Sequence, residues 1–83
     1  MNQRQPLPLM CVRKALHEAV DLAMRRRHRI HQRHLFAAQQ HLLSPGGGTL
    51  ISDLRPANDE HHTWLQVTYV NGEQNVFVLE NSQ

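Results

Sequence analysis

Apolar residues follow two different rhythms along this chain. Through the first half they recur at helical spacing: Leu9, Val12, Leu16, Val20, Ala23, Ile30 and Ala38 fall on one stripe, with Met24 and Leu42 on its flank. Pro8 suits a first helical position, where a missing N–H costs nothing. No Gly or Pro follows it until Ser44-Pro45-Gly46-Gly47-Gly48, a run that stops a helix and makes a joint. Beyond the joint, β-branched and aromatic residues dominate His62-Thr63-Trp64-Leu65-Gln66-Val67-Thr68-Tyr69-Val70 and then Glu73 to Glu80. Asn71-Gly72 separates those two runs as a hairpin signal. Thr49–Leu54 reads as a further strand, joined to them through the loop 55–60.

The fold expected is therefore α+β. A long N-terminal helix over 8–43 packs on a small antiparallel three-stranded β-meander over 49–80 that ends in the Asn-Gly hairpin. The whole forms one small domain, with 1–7 as a flexible lead and 44–48 as the linker. A continuous helix over 8–43 would reach on the order of 54 Å, whereas a strand of eight residues covers about 27 Å. Either the helix breaks in two within Arg27–Gln32, or a second chain buries its overhang.

A two-residue type I′ turn at Asn71-Gly72 implies a register that opposes Val70 to Glu73, Val67 to Val76, Leu65 to Val78 and Trp64 to Leu79. Leu65, Val67, Tyr69, Val76 and Val78 would then face the helix. Trp64, Phe77 and Leu79 would share the opposite face, and three large apolar residues there imply a second buried contact.

Length bounds the function, since 83 residues hold one modest core and no separate cofactor domain. The formal charge is only +2, but the 7 histidines make the protein far more basic in mild acid. A single cysteine, Cys11, excludes an intramolecular disulfide. Apolar runs do not exceed four residues, too short to span a membrane, and no signal-peptide pattern is present. A cytoplasmic protein is the expectation.

The chemistry-bearing patterns are sparse. His28, His31 and His34 lie three apart, yet a closed zinc site needs four ligands, so neither metal nor cofactor is expected. His31, His34 and His41 lie on or beside the apolar stripe, a placement that suits an interface. In a continuous helix Arg25, Arg26, Arg29 and Arg33 fall within an arc of about 100°, a basic ridge able to follow phosphates. The glycines follow a helix instead of preceding one, so they form no phosphate loop. Ser44, Ser52 and Ser82 lack a nucleophile-elbow context, and Asp59-Glu60-His61-His62 places acids beside bases without a pocket.

These patterns favour a small non-enzymatic protein–protein interaction module. It would be a regulator, an inhibitor or an assembly subunit, docking on a larger partner or forming a homodimer. Its interface residues would be Trp64, Phe77, Leu79, His31, His34 and His41, loosened by mild acid as the imidazoles charge. The alternative is a DNA- or RNA-binding protein that uses Arg25, Arg26, Arg29 and Arg33.

Overall fold

The computed structural model describes residues 5–43 and 50–79. The Ser44–Gly48 joint, the first four residues of the lead, and the expected strand ends Thr49 and Glu80 lie outside them. The element order is α1 (Leu9–Arg25), α2 (Gln32–Leu43), β1 (Ile51–Asn58), β2 (Thr63–Tyr69) and β3 (Gln74–Val78). Both helices pack on one open antiparallel sheet of order β1-β2-β3.

The helical half breaks, and the backbone explains how. The Arg27 N–H donates to the Met24 carbonyl (3.1 Å) and the His28 N–H to the Ala23 carbonyl (2.8 Å). These two bonds make a Schellman close, with Arg27 at φ 58° in the left-handed position that usually takes glycine. The break shortens the helices to about 25 Å and 18 Å, so the sheet accommodates both. A second chain is not required to cover an overhang. Arg27→Gly removes the cost of a side chain at positive φ, and should stabilise the fold by about 0.5–1 kcal/mol. A rise in the urea midpoint at unchanged slope would register it.

The seat of α1 is lined with small side chains. Val12, Ala15, Leu16, Ala19 and Ala23 are buried, while Leu9 at the start of the expected stripe and Met24 on its flank are exposed. Ala15, Ala19 and Ala23 lie one turn apart and let the helix backbone approach the sheet. From α2, Ala38 and Leu42 complete the core with Ile51, Leu54, Leu65, Val67, Tyr69 and Leu79.

Two features of the sheet correct the sequence reading. First, β1 continues through Arg55-Pro56-Ala57-Asn58, the stretch expected to be loop, with Pro56 opposite Leu65. Proline is tolerated because β1 is an edge strand, where a missing N–H can face outward. A bulge at Ser52, between the Ile51–Tyr69 and Asp53–Thr68 pairs, bends this strand; the Ser52 hydroxyl donates to the Thr68 and Tyr69 carbonyls.

Second, the hairpin register differs by one residue from the type I′ expectation. Leu65 opposes Phe77, Val67 opposes Asn75 and Trp64 opposes Val78. The loop has three residues, Val70-Asn71-Gly72. The Gly72 N–H donates to the Tyr69 carbonyl (2.9 Å), and the Tyr69 N–H donates to the Glu73 carbonyl (2.8 Å). In this loop only Gly72 has positive φ (93°), as in a type I turn closed by a glycine bulge, whereas type I′ would need Asn71 there too. Asn71 keeps the αR side of the turn by accepting the Glu73 N–H on its side-chain oxygen (2.9 Å). A one-residue slip turns every β3 side chain to the other face. Phe77 and Leu79 therefore join the core side, and Val76 and Val78 face away from the helices.

Candidate interaction site

The corrected register defines the uncovered face of the sheet. Its cross-strand rows are Ala57-Trp64-Val78, then Arg55-Gln66-Val76, then Asp53-Thr68-Gln74. Apolar surface gathers at the end away from the hairpin turn, where Trp64 is half-buried and Val76 and Val78 are 51% and 42% exposed. The polar end is a shallow hollow between Asp53, Arg55, Gln66, Thr68 and Gln74, with an Arg55–Asp53 ion pair at 3.0 Å. An apolar second face is thus present with Trp64 on it, but its other members are Val76 and Val78. Leu79 is wholly enclosed, and Phe77 packs against the core from the helix side. Val76 and Val78 escaped the sequence reading because only the conformation of Asn71 separates the two registers.

Beside this face lies the outer edge of β3, which no other strand among the described residues pairs. Every residue of the strand is exposed except Phe77, which is partly covered. The Tyr69–Glu73 and Thr63–Leu79 bonds set the alternation of the antiparallel ladder. That alternation sends the N–H and C=O groups of Gln74, Val76 and Val78 outward. Just past β3, the Leu79 carbonyl accepts the His31 N–H (2.8 Å) from the connection between the helices.

The histidines have individual structural tasks. His31 caps α2: its Nδ1 accepts the Arg33 N–H (3.1 Å) and its ring stacks on His34 with centroids 4.5 Å apart. A protonated imidazole has no lone pair to accept that bond, so the cap requires the neutral ring. His41 reaches from α2 to the sheet, its Nε2 at 2.9 Å from the Tyr69 hydroxyl and its ring 5.2 Å from Phe77. His28 ties the end of α1 to the β1–β2 loop through the Thr63 hydroxyl (2.7 Å) and the Glu60 carbonyl (3.1 Å). Of the three interface candidates, His41 belongs to the contact between α2 and the sheet, while His31 and His34 sit at the start of α2. In the β1–β2 loop, Asp59 accepts the N–H groups of His61 (2.8 Å) and His62 (2.6 Å), and these bonds hold its carboxyl below the ordinary carboxylate range.

The expected arginine ridge changes form. Arg25 closes α1, Arg26 caps it, Arg29 lies in the connection and Arg33 is in the first turn of α2. A single helical face would need unbroken 3.6-residue geometry through Arg27, which the left-handed turn interrupts. The result is an arginine-rich elbow. Among the described residues, none of its exposed arginines, Arg25, Arg26, Arg27, Arg29 or Arg33, ion-pairs with an acid.

Pairs that could suggest catalysis are enclosed. Thr63, whose hydroxyl lies against His28, has no exposed surface, and Tyr69, whose hydroxyl lies against His41, is 7% exposed. Among the described residues no three His, Cys, Asp or Glu side chains come together to hold a metal. No helix in those residues is long and apolar enough to cross a membrane. A groove of about 420 Å³ runs between the helices, with Leu16, Val20, Leu35 and Leu43 below and Arg13, His17, Asp21 and Gln39 around it. Comparison with protein-family models, curated proteins and solved structures gives no match for this chain.

Proposed function

We propose that this protein is a non-enzymatic interaction module, a regulator or an assembly subunit, that docks another protein strand against β3 and the apolar face beside it. The observation that carries the reading is the conjunction at β3: outward backbone groups along its edge, with exposed Val76 and Val78 next to Trp64 on the uncovered face. Strand addition uses this combination, main-chain bonds providing affinity and alternate side chains providing selectivity. The burial of Thr63 and Tyr69, the hydroxyl-bearing residues against His28 and His41, supports binding over chemistry.

The unpaired arginines of the elbow support a second reading, contact with the phosphates of DNA or RNA. Native mass of the full chain, alone and with added RNA or duplex DNA, separates the two. Protein assembly that Val78→Lys dissolves, with folding retained, is the expected result, since a charge on that row opposes an apolar contact. Assembly that Val78→Lys leaves intact overturns the strand-docking reading. A nucleic-acid complex that survives Val78→Lys and weakens with salt, at a slope of about −3.6 for four phosphate contacts on duplex DNA, selects the elbow instead.

A further inference from the structure

The two edges of the sheet are built differently. The β1 edge is defended: Pro56 removes an N–H, Asp53 and Arg55 place charges on the strand, Ser52 bulges it, and the Leu7 N–H already occupies the Ile51 carbonyl (2.7 Å). Such devices stop a strand from recruiting another. Among the residues of β3, Gln74-Asn75-Val76-Phe77-Val78, there is no charge, proline or glycine. Among the described residues its outward Val76 N–H is met by the side-chain oxygen of the adjacent Asn75 (2.8 Å), a local substitute that a second strand can replace.

We infer that the occupant of this edge is a second copy of the same chain, paired antiparallel through β3 about a two-fold axis at Val76, giving one continuous six-stranded sheet. The inference rests on the strand-docking reading above and names its partner. Residues 74, 76 and 78 direct their backbone groups outward, so a two-fold at Val76 sets Val76 against Val76 and Gln74 against Val78 of the other copy. Each of these pairs exchanges both backbone bonds. The side chains of this set lie on the uncovered face, where two valines meet at the axis and each Val78 lies beside a neutral Gln74. Phe77 meets Asn75 on the other face, so no charge opposes a like charge anywhere along the seam. The described outward backbone groups, those of residues 74, 76 and 78, all lie within the five residues of β3, so the proposed contact is a short one. With one open edge per copy and the other defended, the assembly closes at two chains and does not propagate as a filament.

Charge exchange at position 76 tests the axis itself. Val76 is half-exposed, so Val76→Lys and Val76→Glu should each fold, which circular dichroism verifies. Sedimentation of the full chain should give a dimer for the unsubstituted protein. Each variant alone should shift toward monomer, with Kd raised about tenfold or more, because like charges then face each other across the axis. An equimolar mixture of the two variants should recover the dimer, since Lys then faces Glu. A monomeric unsubstituted protein overturns self-pairing; the strand-docking reading then rests on a neutral, valine-rich strand peptide added to the full chain, whose binding Val78→Lys should abolish. No binding of that peptide overturns strand docking as well. A dimer indifferent to both substitutions at 76 and to Val78→Lys overturns both readings. A dimer that each variant weakens and the mixture does not restore overturns the two-fold at Val76.

Discussion

Leu79→Ala should destabilise the protein by about 2–5 kcal/mol, the cost of emptying a leucine site in a core that only partly collapses. Leu79 is completely enclosed. Its backbone also joins β2 through the Thr63 carbonyl (3.1 Å) and the helix connection through the His31 N–H (2.8 Å). It therefore closes three parts of the structure at once, although it lies one residue beyond β3. A domain of this size has a total stability of about 4–12 kcal/mol at the usual 0.05–0.15 kcal/mol per residue, so the loss removes from about a sixth of it to all of it and should lower the urea midpoint in proportion. Trp64→Ala, on the half-covered face, should lower the midpoint less. A Leu79→Ala midpoint no lower than that of Trp64→Ala would show that the β3 end is not part of the core.

Ala19→Leu should cost about 1–3 kcal/mol for the opposite reason, overpacking. Ala19 has no exposed surface and lies in the middle of the Ala15-Ala19-Ala23 ladder that seats α1 against the sheet. Leucine is a good helix former, so local propensity does not account for the loss. Three added carbons leave α1 no place to sit without moving away from β1 and β2. The matching change at exposed Ala37 in α2 is the control and should stay within about 0.5 kcal/mol. Thermal unfolding resolves the contrast, since 1 kcal/mol moves the midpoint of a domain this size by about 4–8 °C. Equal midpoints for the two variants would mean that the alanine ladder has room to spare.

Much of the architecture is legible in local chemistry. The helical period across 9–43, the β-rich runs and their separation by Asn71-Gly72 lead directly to a helical half packed on a three-stranded antiparallel sheet. A simple length comparison leaves two outcomes over so small a sheet, a break within Arg27–Gln32 or a second chain over the overhang, and the structure takes the first. Arg27 is where the helix yields, although an arginine at a left-handed position carries no glycine signal. Pro56 misled for a related reason: proline argues against a strand interior, and only membership of an edge makes it acceptable.

The interaction surface was harder to read than the fold. An apolar patch on the second face, with Trp64 in it, follows from the number of large residues in the hairpin. Its other members depend on whether the turn holds two residues or three, a choice settled by which of Asn71 and Gly72 takes positive φ. The arginine ridge depended in turn on helix continuity, and became an elbow once the chain turned at Arg27. The histidines, read as an interface group, separate into a helix cap at His31, a stacked neighbour at His34 and a bridge from α2 to the sheet at His41.

By itself the amino-acid sequence determined the periodicities, because a side chain's place on a helix or strand repeats every few residues whatever surrounds it. It also determined the neutrality of Gln74–Val78 and the clustering of arginines between 25 and 33. Tertiary structure alone decided which β3 residues face the helices, which edge of the sheet stays open and where the helix ends. Those outcomes depend on pairing partners far along the chain, and a shift of one residue in pairing exchanges the inside and the outside of a strand.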